Sequence, residues 1–205
     1  VINQKMGYLR VVLSEMEEDG YIEMIKMPKP RPTKNSKVHY LTYDMETRLL
    51  DFLVANKQYE AKNIVICLID LGCRVNELLY LEKRFVDFDN NQITFNDRKN
   101  DQAVAVPMTN RVKQVIKHYL YELNDLDKVF SLNYSELNAI WQRARKDLGY
   151  ADKKFYTLHL CRHTCASRLV QRGVPILLVK DWLGHEDIEN TMIYAHLAPK
   201  ALHSV

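Results

Sequence analysis

The sequence predicts a mainly helical α+β domain built around one small three-stranded antiparallel sheet. Two observations carry that expectation. Over most of the chain apolar residues recur at helical spacing, and between Phe85 and Val106 the period shortens to two. A third observation sets the scale: 205 residues with 47% hydrophobic composition suffice for one full domain with its own core and a fragment of another.

The first helical pattern runs over residues 3–19, with Met6, Leu9, Val12, Leu13 and Met16 on one stripe and Gly20 as its stop. From Met27 to Lys37 three prolines alternate with four basic residues, which excludes a helix and describes an extended, positively charged linker. The domain boundary therefore falls there, dividing the chain into 1–27, 28–37 and 38–205. Lys34 and Lys37 become candidate phosphate contacts if the linker straps a polyanion. The competing reading is an ordinary linker kept in solution by its charges. Thr42 caps a helix to about Ala55, and another runs from Glu60 to Leu71, where Gly72 breaks it. A short helix covers Val75 to Leu81. Phe85–Phe88, Gln92–Phe95 and Ala103–Val106 read as strands, with turns at 89–91 and 97–101 and Pro107 closing the last. Helices return over 110–123, 135–148, 158–171, 175–183 and 188–196.

Composition narrows the class. The hydrophobic share excludes disorder as the dominant state. The longest apolar run, Ile64 to Ile69, falls far short of the roughly 18 residues of a membrane span. With no signal segment at its start, the chain is expected to be soluble, cytoplasmic and unattached to membrane, and Val1 in place of Met reads as the edge of a longer protein. Cys67, Cys73, Cys161 and Cys165 are too few for a disulfide scaffold and read as reduced thiols. The alternation His159, Cys161, His163, Cys165 is the one metal-like arrangement. Only its i, i+4 pairs share a helix face, and no Glu follows His159, so it reads as helix packing.

The net charge of +3 hides an asymmetry. From Arg143 to Lys180 nine basic side chains face two acidic ones, a local +7 that leaves −4 for the remainder. Such an excess suits a surface that neutralises phosphates, and a solvated charged face fits it equally well. Arg143, Arg145, Lys146 and Arg168 are the candidate DNA contacts in this window.

Polar residues at the ends of apolar stretches carry the chemistry. At i, i+3 on one helix, His159 and Arg162 let an imidazole and a guanidinium fork reach the same phosphate. Gly184 ends the next helix and frees His185, and Tyr194 lies nine residues further on.

Together these residues resemble the tyrosine recombinase (integrase) family over nearly all of residues 38–197. Leu71-Gly72-Cys73-Arg74-Val75-Asn76-Glu77-Leu78 looks like that family's first-arginine motif. Lys99, eight residues before Pro107, is placed like its mobile lysine. His159-x-x-Arg162, His185 in Leu-Gly-His, and Tyr194 complete the set, in the family's order. The resemblance implies the family's catalytic-domain fold and a set of roles. Arg74 and Arg162 would clamp a phosphodiester bidentately, His185 would add a hydrogen bond, and Tyr194 would be the nucleophile. Lys99 would be the general acid, preferred over Arg98 because a guanidinium keeps its proton, with His159 as the base that assists Tyr194. His163 and His196 read as structural, and Trp182 as helix filling. Leu160 and Cys161 depart from the family's usual residues and bear on packing near the second arginine. Because the phosphotyrosine adduct keeps the phosphodiester energy, no ATP, metal or other cofactor is implied.

The implied partners are double-stranded DNA attachment or recombination sites, further protomers in a tetramer on DNA, and DNA-bending or directionality factors. Residues 1–27 would be the last helix, or a remnant, of an N-terminal core-binding domain, and the segment after Tyr194 looks short for docking on a neighbouring protomer. The family role expected is integration and excision of a phage or mobile element. Xer-type chromosome-dimer resolution and type IB topoisomerase-like relaxation are the alternatives. A DNA-binding module without catalysis would have no reason to keep a lysine, two histidines and a tyrosine at these positions.

Overall fold

The computed structural model describes residues 2–19, 21, 38–96 and 103–199. The chain divides into two compact units, residues 1–37 and 38–205. In the first, α1 (Ile2–Glu18) is a single helix on which Leu9, Val12 and Met16 are exposed. Lys34 and Lys37 lie outside the described residues.

The second unit is organised by its most apolar helix. After α2 (Tyr43–Ala55), the chain forms α3 (Tyr59–Leu71), with eight of its thirteen residues buried, so that it must be covered on several sides. It ends at Gly72, whose φ of +67° continues the C-cap in the left-handed region. A Cβ there would stand 2.8 Å from Cys165 Sγ, so glycine is required by space as well as by conformation. The short α4 (Val75–Leu79) follows, and then the sheet: β1 (Val86–Asp87), β2 (Gln92–Asn96) and β3 (Ala103–Pro107), antiparallel in the order β1-β2-β3. Ile93 pairs with Val86 and Val106, and Phe95 with Val104. Ile93, Phe95 and Val106 face the core. Asn91 takes a positive φ in the first turn, where Asp87 accepts the Asn90 N–H at 2.9 Å. The second turn, with Arg98 and Lys99, lies outside the described residues, although its arms remain paired up to Asn96 and Ala103.

Helices complete the unit: α5 (Asn110–Tyr119), α6 (Tyr134–Asp147), α7 (Leu160–Gln171), α8 (Ile176–Leu183) and α9 (Glu189–Met192). Among them α7 packs on α3 along the centre of the core, while α2 and α5 flank α3. Buried charges lock this arrangement. Glu46 of α2, 5% exposed, pairs with Arg111 of α5 and Arg168 of α7, each at 2.6 Å, and Arg111 also pairs with Asp70 of α3.

Three expectations change in detail. The strand expected over Phe85–Phe88 shrinks to Val86–Asp87 behind a 3₁₀ turn, and the helix over 110–123 gives way to a 3₁₀ turn after Tyr119. The helix expected over 188–196 is broken into α9 and a 3₁₀ turn at Ala195–Leu197. There the backbone bonds tighten to i→i−3, from Tyr194 N–H to Thr191 O and from Leu197 N–H to Tyr194 O. Thr191 and Tyr194 are both buried, three residues apart, which eclipsed 3₁₀ geometry satisfies, and Pro199 bars continuation beyond Ala198. Among the described residues no helix is long and apolar enough to cross a membrane.

Candidate active site

Arg162 is the hub. It is 3% exposed, yet among the described residues it forms no ion pair with a carboxylate. Its Nη1 donates to Gly72 O at 2.9 Å and its Nη2 to Leu183 O at 2.7 Å. Those carbonyls close α3 and α8, which both end on left-handed glycines, Gly72 and Gly184. Helix C-termini leave carbonyls without intrahelical donors, and one buried guanidinium serves both ends. Trp182 Nε1 donates to Leu71 O at 2.9 Å, so the expected helix filler also ties α8 to the end of α3. Arg74 and His185, two residues and one residue beyond those glycines, are thereby fixed beside Arg162. On the far side of Gly184 a Cβ would approach Val104 Cγ2 to 3.1 Å, which seats β3 directly against the residue before His185.

Each remaining side chain has a local reason for its position. Arg74 caps α4: Glu77 Oε2 accepts its backbone N–H and Glu77 Oε1 its Nη1, both at 2.6 Å. The pair leaves the guanidinium 45% exposed at the groove. His159 forms the N-cap of α7 and is exposed on its groove side. Arg74, His159 and His185 line one open groove of about 1100 Å³, together with Tyr134, Asn138 and Gln142 along one face of α6. Among the described residues no group of three His, Cys, Asp or Glu side chains is placed to hold a metal ion.

Tyr194 sits behind this groove, 2% exposed, with its Oη 2.6 Å from His163 Nδ1. His163 in turn meets His159 edge-on, with ring centroids 4.8 Å apart. The base expected at Tyr194 was His159, but the ring nitrogen at the phenol belongs to His163, which sequence reading assigned to structure. At i, i+4 the two histidines share a face, and His163 is the one carried further along α7 toward the 3₁₀ segment. That direction depends on how the segment folds back and is invisible in sequence spacing.

The electrostatics follow from burial beside two arginines. Burial first, then the neighbouring positive charges, lowers the His163 and His185 pKa values to about 4, so both rings are neutral at physiological pH. His159 is lowered in the same way, by desolvation of its inner edge and then by Arg162 and Arg74. Burial pushes the Tyr194 phenol up to about 12, against the pull of Arg162. At neutral pH the site therefore holds two guanidinium cations, neutral imidazoles and a protonated phenol.

The basic window resolves into different uses. Arg168 is held by Glu46 and lies over the Tyr43 ring at 4.3 Å, 12% exposed, which withdraws it from the surface expected for a DNA contact. Arg145 donates to the carbonyls of Tyr150, Ala151 and Lys153 and braces the loop after α6. Arg143 and Lys146 remain exposed on α6. Thus Arg145, Arg162 and Arg168 serve the interior scaffold, while Arg143, Lys146, Lys153, Lys154 and Arg172 remain exposed.

The fold and site together define a mainly helical domain in which one open groove, lined by Arg74, His159 and His185, lies beside one buried tyrosine. Residues 39–201 match the model of the phage integrase family, and the chain belongs to this family of tyrosine recombinases. It is 33% identical over 152 residues to tyrosine recombinase XerA of Saccharolobus solfataricus, covering 74% of this chain and 51% of that protein. To the integrase of Salmonella phage P22 it is 29% identical over 219 residues, covering 96% and 54%. The chain thus spans about half the length of these relatives. The catalytic domain of bacteriophage HP1 integrase superposes with a TM-score of 0.62 at 28% identity, covering 82% of this chain and 92% of that one. A Tn1549 transposon integrase in complex with transposon right end DNA shares the fold, with a TM-score of 0.79 at 18% identity over 98% of this chain and 75% of that one.

Proposed function

We propose that the chain is the catalytic portion of a site-specific DNA recombinase that cuts and rejoins strands through a 3′-phosphotyrosine at Tyr194, without metal or ATP. The observation that carries this reading is the convergence of Arg74, His159 and His185 on one groove, with Arg162 behind them and Tyr194 hydrogen-bonded to His163. A scissile phosphate in the groove meets the Arg74 and Arg162 guanidinium groups, which stabilise charge on its non-bridging oxygens as attack proceeds. Its negative charge also raises the pKa of the neighbouring imidazoles. Tyr194 leaves its buried position, its Oη bonds to phosphorus and its proton passes to His163. The P–O5′ bond breaks, and Lys99 protonates the leaving 5′-oxygen. Attack by the 5′-hydroxyl of another strand reverses the steps and rejoins the DNA.

Residues 1–27 serve as the last helix of an N-terminal core-binding domain and 28–37 as a basic linker along the DNA. Further protomers in a tetramer, with bending or directionality factors, complete the assembly. Integration and excision of a phage or mobile element is the role favoured by the P22 relative, whose match covers 96% of the chain. Xer-type resolution is the second reading, favoured by the 33% identity to XerA.

Incubation with a nicked duplex carrying the attachment site should trap an SDS-resistant 3′-phosphotyrosine adduct. Tyr194→Phe should remove it and leave DNA binding within about threefold. An adduct that persists in the Phe variant refutes Tyr194 as nucleophile. Strand exchange between two duplexes distinguishes recombination from relaxation of one.

A further inference from the structure

We propose that Thr191 is a positioning residue that fixes His185 in the Nε2–H tautomer, so that a neutral imidazole presents a donor to the phosphate. The inference rests on the recombinase reading for its purpose and on hydrogen-bond geometry for its content. Thr191 is fully buried, and its Oγ1 lies 2.8 Å from His185 Nδ1. That contact is the only hydrogen bond of the hydroxyl among the described residues.

Two assignments satisfy the distance, and they differ in what they leave unpaired. If Nδ1 donated to Thr191, the hydroxyl proton would be buried without an acceptor, which is unfavourable by about tenfold or more. If Thr191 donates to Nδ1, every buried polar hydrogen is satisfied and the ring proton resides on Nε2. With Nδ1 turned to Thr191, Nε2 is the nitrogen on the groove side, because His185 lines the groove. An Nδ1–H ring would instead aim a lone pair at a phosphate oxygen and repel it. Neutrality makes the tautomer matter: the His185 pKa is about 4, held down by burial and then by Arg162, Arg74, His159 and His163, so only one ring nitrogen carries a proton.

Thr191 also belongs to the tyrosine segment, since its carbonyl accepts the Tyr194 N–H at 3.0 Å. One residue therefore joins the nucleophile's backbone to the orientation of a phosphate donor.

The test is long-range ¹H–¹⁵N correlation NMR of the chain with ¹⁵N-labelled histidine near pH 7, without DNA. His185 should be at least about tenfold in favour of Nε2–H in the wild type and in Thr191→Ser, which keeps the hydroxyl. Thr191→Val, which removes it at nearly constant volume, should reduce that preference severalfold and move the His185 pKa. An Nδ1–H ring in the wild type overturns the proposal, and so does a tautomer ratio unchanged in a folded Val variant. If the Val variant does not fold, Thr191→Ala takes its place, with the same result expected and an unchanged tautomer ratio overturning the proposal. Because no cleavage is measured, failure here is separate from failure of the Tyr194→Phe test.

Discussion

Two arginines on one helix, six residues apart, illustrate the difference between a site and a scaffold. Arg168 near the outer end of α7 is matched by Glu46, a carboxylate shared with Arg111, so its charge is cancelled where it is buried. Arg162 near the inner end is buried more deeply and, among the described residues, donates to the carbonyls of Gly72 and Leu183, while nearby Glu77 offsets its charge only in part. Desolvation and Arg74 lower its pKa, the sign of a cation held in an unfavourable place. Under the proposed recombinase reading, the phosphodiester would supply the anion that stabilises such a group. Arg168 ties α7 to α2 through a carboxylate; Arg162 ties the ends of α3 and α8 through their carbonyls.

Exchanging each arginine tests that contrast most sharply. Arg162→Ala should lower single-turnover cleavage by about 10²–10³-fold. Arg168→Ala should leave cleavage per folded molecule within about threefold but lower stability in urea by about 2–3 kcal/mol, since Glu46 retains only Arg111. If Arg168→Ala instead lost cleavage without losing stability, the distinction would collapse.

Gly72→Ala probes the loop that Arg162 supports. A left-handed φ and a Cβ 2.8 Å from Cys165 Sγ should cost about 2–4 kcal/mol, measurable as a lower urea midpoint. A midpoint unchanged within error would show that the loop relaxes freely.

Acid should loosen the catalytic end before the scaffold end. His163 and His185 have folded pKa values of about 4, below the ordinary 6.5, so the unfolded chain binds protons that the folded chain refuses. Their contribution is fully present above about pH 6.5 and is lost as pH falls toward 4. Urea midpoints should drop across that window, and His163→Asn should flatten the fall; a wild-type profile flat from pH 7 to 4 contradicts it.

The smallest effects belong to the surface. Arg143→Ala and Lys146→Ala should each weaken DNA binding alike for all sequences and reduce the slope of log K against log salt by about one. Unchanged slopes in both variants would remove α6 from the phosphate contacts.

How legible was all this in advance? The helices α2, α3, α6, α7 and α8 follow from apolar spacing, a Thr42 cap and glycine stops, because those signals act within a few residues. Arg74, His159, Arg162, His185 and Tyr194 were legible as a set through motif order. The break at Tyr194 was not, since the local pattern reads as continuous helix and the 3₁₀ tightening comes from burying Thr191 and Tyr194 together. Charge was the least legible: summed along the chain, Arg162, Arg145 and Arg168 look alike, and one lies on the carbonyls that end two helices, one on loop carbonyls and one on a buried glutamate.

The sequence by itself determined the order of Arg74, His159, Arg162, His185 and Tyr194 along the chain, and the local caps and turns around them. Only the tertiary structure decided which histidine meets the phenol and which arginine is held by carbonyls rather than a carboxylate. Those outcomes depend on contacts between residues 21, 31 and 90 positions apart, whose distances no local spacing encodes.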